Sequence, residues 1–421
     1  MKVLMPTFEY DTIKTGGLSA ALTSIAETFV PHASPIVVMP RSGVSPSWKK
    51  IDDIHHKKVT VEKFEHNGVM IHVLSDKILD SREIYPDPKN TETIRKIDEF
   101  GSRLSEIVED IDFDLVHMHD SFGYKAMDKF REMGKPVLLT VHRLHRESPN
   151  WFKTELVALE KADHVTVVGK TYYQEDEKEF FSKYRGKVTH VYNGIDTEFW
   201  SVKNCSHPDL PRSKRREKQL EKLGLKDGIF YLFVGRFDSS QKGVDLLLKA
   251  GEKFIETRDS RMVIVGAGEK ELETASKDFE RRHPDKVKVI NELLSREETR
   301  DLYCSADFAL VPSIFEPFGL VQLEAMSCSC VPIGSRTGGI RDTVVPYPRK
   351  GATGFLFKKG SANALLKAME RSLLLYHKNR EAIEGMRVNG RRRCETYFRW
   401  ENSCRRYLEI YKRLLKGRRT R

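Results

Sequence analysis

The chain has 421 residues, of which 39% are hydrophobic and 32% charged, and its mean hydropathy is −0.49. This composition excludes a disordered chain, and the length is sufficient for two hydrophobic cores. No stretch approaches the roughly 18 apolar residues of a membrane-spanning helix. The first residues reach Glu9 and Asp11 without the apolar core of a signal peptide. We therefore predict a cytoplasmic protein without an integral membrane segment.

The positive charge is concentrated at the C-terminal end. The net charge is +11, and residues 387–421 hold thirteen Lys or Arg against three Glu. The rest of the chain is close to neutral and has no zinc-finger or RNA-recognition motif, which argues against nucleic acid binding. A solvated basic tail is expected, with weak contact to an anionic surface as the alternative.

In the first half, hydrophobic periodicity predicts strands that alternate with helices. The predicted strands are residues 2–4, 35–39, 59–64, 69–74, 115–119, 137–141, 164–168 and 188–192. The predicted helices are residues 18–30, 91–111 and 151–161. Such alternation favours a parallel sheet covered by helices on both faces.

The second half repeats this pattern after a polar stretch. The predicted strands are residues 229–234, 262–265, 287–290, 308–311 and 331–333. The predicted helices are residues 243–258, 269–282, 296–304, 319–328, 339–345, 362–377 and 400–415. We predict an α/β protein with two doubly wound, Rossmann-like domains facing across a cleft. They span residues 1–200 and 229–399, joined by a linker at 201–228 that contains a short solvated helix.

Doubly wound domains bind ligands at the carboxyl ends of their strands, so candidate binding residues are sought there. In the first domain, Lys14, Gly16 and Gly17 lie between a strand and a helix. Paired glycines allow a ligand to approach the backbone, and free helix N–H groups attract an anion. The spacing does not fit a Walker loop.

Two cations and two carboxylates follow strands of the second domain. Arg236 and Lys242 share the loop after the opening strand, and two such cations suit a diphosphate. Glu316 and Glu324 flank a strand-to-helix turn. A Gly-Gly helix start at 338–339 adds a second N-terminus that favours an anion.

Two clusters carry weaker metal-site hypotheses. Asp112 and Asp114 form an Asp-x-Asp pattern, but they lead into a strand instead of leaving one. His117 and His119 share one face of a strand, yet the spacing does not fit zinc, so contacts in the core or with a sugar are expected. We predict no metal site.

Seven motifs occur along the chain in a recognisable order. They are KTGGL at 14–18, His119-Asp120, Thr140-Val141-His142, NGID at 193–196, GRFDSSQKGVDLLLKA at 235–250, PSIFEPFGLVQLEAM at 312–326 and RTGGIRDTV at 336–344. Together they resemble the glycogen and starch synthase family, particularly its short archaeal members. The resemblance implies the GT-B glycosyltransferase fold, with helix 400–421 completing the first domain. It also implies a retaining transfer of glucose from ADP-glucose or UDP-glucose to the non-reducing end of an α-1,4-glucan, without metal or cofactor.

The resemblance also implies roles for individual residues. The predicted catalytic residues are Glu316, Arg236, Lys242, His142 and Asp120. With the glycine-rich helix starts included, the predicted donor-binding residues are Lys14, Gly16, Gly17, Phe318, Gly319, Leu320, Glu324, Thr337, Gly338 and Gly339. Arg236 and Lys242 would meet the phosphates, Glu316 would lie near the donor sugar and Glu324 would hold the ribose. The main-chain carbonyl of His142 would stabilise positive charge at the anomeric carbon.

Two departures from the family pattern leave specificity open. Where the family often has His-Asp-Trp-His, this chain has His119-Asp120-Ser121-Phe122, so the acceptor is undetermined. The segment before Glu292 offers no Tyr or Trp to stack on the base, so ADP and UDP both remain candidates. The alternatives are a related retaining transferase with another sugar or lipid-linked acceptor, and a glucan-binding protein without turnover. The oligomeric state stays undetermined.

Overall fold

The computed structural model describes residues 1–11, 17–41, 44–45, 47–56, 59–80 and 91–419. The chain divides into two compact units. Unit 1 contains Met1–Val168, Tyr173–Tyr192 and Trp400–Arg421, and unit 2 contains Gly169–Tyr172 and Asn193–Arg399. Within the described ranges, none of the helices combines the length and apolar character needed to cross a membrane.

Unit 1 is built on a nine-stranded sheet. Its strands are β1 (Lys2–Pro6), β2 (Ser34–Pro40), β3 (Lys49–His56), β4 (Val59–His66), β5 (Val69–Ser75), β6 (Leu115–His119), β7 (Val137–Val141), β8 (His164–Val167) and β9 (Val188–His190). Their order across the sheet is β3-β4-β5-β2-β1-β6-β7-β8-β9. The β3–β4 and β4–β5 pairs are antiparallel, and the other pairs are parallel.

Six α-helices cover this sheet in the described part of unit 1. They are α1 (Gly17–Phe29), α2 (Thr91–Ile107), α3 (Met127–Glu132), α4 (Pro149–Lys161), α5 (Lys178–Ser182) and α14 (Trp400–Arg419). The last helix returns to the sheet because its aromatic face is buried there: Tyr407 and Tyr411 have no exposed surface. The Tyr411 hydroxyl lies 2.6 Å from Nδ1 of His117 on β6.

Unit 2 has a six-stranded, fully parallel sheet. Its strands are β10 (Ile229–Val234), β11 (Ser260–Val265), β12 (Val287–Ile290), β13 (Phe308–Val311), β14 (Val331–Ser335) and β15 (Phe355–Phe357), in the order β12-β11-β10-β13-β14-β15. Its helices are α6 (Arg212–Lys222), α7 (Val244–Thr257), α8 (Lys270–Arg282), α9 (Arg296–Ser305), α10 (Val321–Ser327), α11 (Gly338–Thr343), α12 (Ala362–Lys378) and α13 (Arg380–Tyr397). Helices on both faces bury the central strands, which is why β10 and β13 read as continuous apolar runs.

The structure differs from the sequence prediction in the segment predicted as a linker. Residues 201–228 group with unit 2, and α6 is not solvated on all sides, because Arg216 and Leu220 are buried. Arg216 Nη1 donates to Asp307 Oδ2 at 3.0 Å, and Arg387 Nη2 donates to Asp307 Oδ1 at 2.8 Å. A charge run that looked exposed in the sequence therefore ties α6 to the start of β13.

Replacing Asp307 with alanine is expected to lower the free energy of unfolding by about 3–5 kcal/mol, because two buried guanidinium groups lose a fully buried counter-charge. They keep only the half-exposed carboxylates of Asp227 and Glu384. The Asp307 side chain has no exposed surface, and its Oδ2 also accepts from the Phe230 N–H at 3.1 Å. Urea unfolding would measure the change. Asp209→Ala, at an exposed position, is the control and should shift the value by less than about 0.5 kcal/mol. Equal effects of the two substitutions would contradict this account.

Candidate functional site

The topology of unit 2 brings two loops together at one edge of its sheet. From β10 the chain continues to β11 and β12 on one side, and β13 then pairs with β10 on the other side. The loops that leave β10 and β13 therefore start next to each other, at the switch point where doubly wound sheets bind ligands. The predicted cations and carboxylates lie on these two loops.

Backbone contacts fix the two loops against each other. The Gln241 carbonyl accepts hydrogen bonds from the N–H groups of Ile314 at 2.8 Å and Phe315 at 3.4 Å. Gly243 adopts a φ of +66°, and a Cβ at this position would lie 2.4 Å from the Pro312 carbonyl oxygen. Only glycine fits such a left-handed, close approach. Lys242 is therefore held between two constrained neighbours.

Lys242 and Glu316 form an ion pair between the two loops. Lys242 Nζ lies 2.6 Å from Glu316 Oε2, and their side chains are 22% and 10% exposed. The same carboxylate oxygen accepts from Ser313 Oγ at 3.2 Å. A partly buried pair of opposite charges at a strand end is a site where charge can be presented to a ligand.

Arg236 lies on the same loop but is more exposed. Its Nη2 donates to Asp238 Oδ2 and to Gln241 Oε1, each at 2.9 Å, and 59% of the side chain is exposed. Because Gln241 also accepts from the second loop, Arg236 is connected to the Lys242 region without a direct contact with Glu316. The structure thus leaves the guanidinium open to solvent at the strand end.

The second Gly-Gly turn packs directly on the loop that carries Glu316. The Gly339 N–H donates to the Glu316 carbonyl at 3.0 Å, and a Cβ on Gly339 would lie 2.3 Å from Phe318 Cα. Thr337 Oγ1 donates to the Ile314 carbonyl at 3.3 Å. A glycine at 339 is therefore required by close packing, whatever else it does.

Helix α10 begins just after the loop that carries Glu316. Gly319 has a φ of +81°, and Leu320 is the N-cap residue of the helix. Burial raises the pKa of Glu324 to about 7, against the opposing effects of Arg296 and Lys242. The predicted residues that unit 2 places around these loops are Arg236, Lys242, Glu316, Phe318, Gly319, Leu320, Glu324, Thr337, Gly338 and Gly339.

Sequence reasoning missed a short segment that packs on the same loops. Residues 169–172 group with unit 2. A Cβ on Gly169 would lie 2.5 Å from the Pro317 carbonyl oxygen, and Thr171 donates from both N and Oγ1 to the Asp342 carboxylate of α11. A Gly-Lys-Thr sequence directly after a strand was the available signal. This segment therefore packs against the loop at Pro317 and is anchored to α11.

In unit 1, Asp120 and His142 meet at the ends of β6 and β7. The His142 N–H donates to Asp120 Oδ1 at 2.8 Å. Asp120 has a φ of +53°, an uncommon value for a residue with a Cβ that costs roughly 1–2 kcal/mol. Backbone strain of this kind is concentrated at functional sites.

Burial changes the protonation of both groups. It raises the pKa of Asp120 to about 7, although His145 and the N–H donors oppose the shift. It lowers the pKa of His142 to about 3, so this imidazole is neutral at physiological pH. His142 Nε2 lies 2.9 Å from His119 Nδ1. The edge of unit 1 therefore presents a carboxyl group that titrates near neutrality next to a neutral imidazole.

The other candidates from the sequence have structural explanations. His117 is a core residue, since its two ring nitrogens lie 2.6 Å from the Tyr411 hydroxyl and 2.7 Å from Thr140 Oγ1. Asp112 and Asp114 contact Lys2 at the opposite end of β6 from Asp120. Gly17 is the exposed first residue of α1. Lys14 and Gly16 lie outside the described residues.

The sequence is similar to known glycosyltransferases in both halves of the chain. The profile described as "Glycosyl transferases group 1" matches residues 215–389, and that described as "Glycosyltransferase Family 4" matches residues 64–199. A glycogen synthase of Finegoldia magna is 28% identical over 491 aligned positions, which cover 99% of this chain and 100% of the relative. These matches support a place in the glycogen and starch synthase family. A glycogen synthase of Oceanobacillus iheyensis is 33% identical over 60% of this chain and 56% of its own length.

A solved structure shares the fold of this chain. The catalytic domain of starch synthase IV from Arabidopsis thaliana, bound to ADP and acarbose, matches with a TM-score of 0.85 at 18% identity, over 99% of each chain. The predicted GT-B fold is thus confirmed, and the chain is a glycosyltransferase. A particular resemblance to archaeal members is not borne out, because Finegoldia magna and Oceanobacillus iheyensis are both bacteria.

Proposed function

We propose that this glucosyltransferase moves glucose from ADP-glucose or UDP-glucose to the non-reducing end of an α-1,4-glucan with retention of configuration. The main supporting observation is the 2.6 Å contact between Lys242 and Glu316 at the switch point of unit 2, with Arg236 on the same loop. A fixed ammonium, a solvent-exposed guanidinium and a carboxylate at one strand end suit a sugar bound to a diphosphate. The glycogen synthase of Finegoldia magna, similar over its whole length, agrees with this assignment.

The proposed chemistry assigns opposite charges to opposite ends of the breaking bond. Cleavage of the anomeric C–O bond gives an oxocarbenium-like sugar and a nucleoside diphosphate. Lys242 and Arg236 would stabilise the growing negative charge on the phosphate, and Glu316 would face the positive sugar. Because Lys242 pairs with Glu316 before the donor arrives, donor binding requires Lys242 to share its charge between the carboxylate and the phosphate.

Retention is proposed to proceed by attack on the same face from which the diphosphate leaves. A retaining glycosidase uses a second carboxylate as nucleophile, and we assign no residue to that role here. The leaving phosphate would take the proton from the acceptor hydroxyl. Asp120 and the main-chain carbonyl of His142 are proposed to contact the transferred glucose.

The side chains that follow Asp120 bear on the choice of acceptor. Ser121 and Phe122, which stand where the family often has Trp and His, are each only 1% exposed. The Phe122 ring stacks on Phe8 at 4.5 Å, and Ser121 Oγ lies 2.7 Å from Thr154 Oγ1. These two side chains belong to the core and are unavailable to an acceptor. A different sugar or a lipid-linked glycan is therefore the second candidate acceptor.

Incubation with ADP-glucose and UDP-glucose, each with and without glycogen, tests the function directly. We expect nucleotide release that depends on primer and elongated chains that α-amylase digests. NMR of the first product should show an α-anomeric proton. Transfer only to another acceptor would support the second candidate. Donor binding without any transfer would indicate a glucan-binding relative.

We also propose that transfer needs neither a metal ion nor a cofactor, because Lys242 and Arg236 supply the positive charge that a metal ion supplies to phosphate oxygens in other enzymes. EDTA is expected to change the initial rate by less than about twofold. The measurement compares EDTA-treated enzyme with the same sample after magnesium is restored. Loss of activity with EDTA and recovery with magnesium would contradict the proposal.

A further inference from the structure

We propose that unit 2 carries a second anion-binding site, specific for a phosphate dianion, on the surface formed by α6 and α9. A cavity of about 180 Å³ lies there between the 205–207 loop and the two helices. Its lining includes His207, Arg215, Lys218, Lys222 and Asp301. None of these residues belongs to the donor loops, and the site goes beyond the proposed transfer reaction.

Arg215 is the strongest indication that this cavity binds an anion. The residue is only 7% exposed, and its guanidinium donates to two neutral groups, the carbonyl oxygens of Cys304 at 3.1 Å and of Leu210. In the described ranges, no carboxylate lies within 4 Å of it, and Nη2 has no hydrogen-bond partner. A buried cation without a counter-charge is unfavourable. An anion in the cavity would supply both the charge and the missing acceptor.

Two lysines extend the same positive surface. Lys218 and Lys222 follow Arg215 at helical spacings of three and seven, so the three side chains share one face of α6. Both lysines are exposed, and across the described residues neither forms an ion pair within 4 Å. The Glu298 carboxylate attracts Lys222 electrostatically without a direct contact. It is held by hydrogen bonds from Ser295 in the capping box of α9.

Asp301 is the acidic residue of the lining, and its carboxylate oxygens already have hydrogen-bond donors. Its carboxylate accepts hydrogen bonds from the Ser206 N–H at 3.0 Å and from the Ser206 hydroxyl. Arg300 lies 3.9 Å from the same carboxylate. The lining therefore keeps a net positive charge, because Arg215, Lys218 and Lys222 outnumber the one carboxylate among the lining residues.

The size of the cavity limits the ligand. Pockets for drug-sized ligands are roughly 300–1,000 Å³, so this one is too small for a nucleotide sugar. It fits a phosphate group, either as inorganic phosphate or at the end of a small sugar monoester. A phosphate dianion can accept from a guanidinium and two ammonium groups at once.

Isothermal titration calorimetry at constant ionic strength tests the site. The titrations use an Arg236→Ala/Lys242→Ala background, so that the donor loops do not compete for inorganic phosphate. Addition of Lys218→Gln and Lys222→Gln is expected to weaken phosphate binding roughly tenfold. The matched control adds Lys214→Gln and Lys226→Gln, which remove the same charge at exposed positions outside the cavity. The control should bind phosphate as the background does.

Equal affinity in the two sets of variants, or no saturable phosphate binding in the background, would overturn the proposal. Arg215→Gln provides a second check, with expected loss of binding, and circular dichroism shows whether this variant folds. Glucose 6-phosphate and glucose distinguish the source of the anion. Tighter binding of glucose 6-phosphate than of phosphate, without binding of glucose, would assign the site to a sugar monoester, and equal binding would assign it to free phosphate.

Discussion

Lys242→Ala is expected to lower kcat for glucosyl transfer by roughly 10²- to 10³-fold, the effect of removing one preorganised charge from a transition state. The ammonium is fixed before any donor binds, because Gly243 and the Glu316 carboxylate leave it little freedom. A charge that needs no rearrangement stabilises the leaving diphosphate most effectively. Initial rates of nucleotide release with saturating donor and acceptor would measure the loss.

The matched control is Lys249→Ala, which removes the same charge from a 69% exposed side chain on α7. We expect its kcat to stay within about twofold of the parent, since distant exposed charges are screened by solvent. The kcat of Arg236→Ala is expected to lie between those of the two lysine variants. The Arg236 guanidinium is 59% exposed and must first leave Asp238 and Gln241 to reach the donor. Equal kcat values for Lys242→Ala and Lys249→Ala would show that Lys242 does not take part in the reaction.

The parallel strands of both units were predictable because burial on two faces leaves a simple pattern. In β10, the run Ile229–Val234 is apolar at every position, and the loop after it had to lie at the ligand edge. The proximity of residues 236–242 to residues 312–320 follows from this topology alone. The sequence therefore predicted which loops meet, although not which atoms touch.

Other elements could not be predicted because their stability comes from distant contacts. Strand β3, Lys49–His56, lacks the alternation of apolar and polar residues that predicts a strand. It is held at the sheet edge by antiparallel pairing with β4. Helix α13 is rich in arginine and was not predicted, yet its Arg387 is 4% exposed and reaches Asp307. This partner lies 80 residues away in the chain, and local periodicity carries no information about it.

The same limit applies to the candidate site. The resemblance placed Arg236, Lys242 and Glu316 in one site, but the ion pair between the last two is a tertiary contact across 74 residues. The support from Gly169 and Thr171 was missed for the same reason. In unit 1, the positive φ of Asp120 could not be predicted, because aspartate adopts such values more often than most residues but usually does not.

Glu316→Gln is expected to reduce kcat at least about a hundredfold with a small change in stability. Glutamine keeps the shape of the side chain and an oxygen that can accept from Ser313, but it removes the negative charge proposed to face the sugar. Thermal unfolding should show a folded protein, and donor affinity should change less than kcat. The control is Glu271→Gln, an exposed carboxylate on α8, which should keep full activity.

A double substitution separates two roles that Glu316 could have. If Glu316 acts only by positioning Lys242, then Lys242→Ala/Glu316→Gln should be no slower than Lys242→Ala alone, because the positioned group is already absent. If the carboxylate also stabilises the sugar, its loss should slow the double variant by a further factor of at least about ten. We expect the second result, since among the described residues Lys242 and Ser313 both act on Oε2 of the 10% exposed Glu316, so that Oε1 can act on a bound glucose.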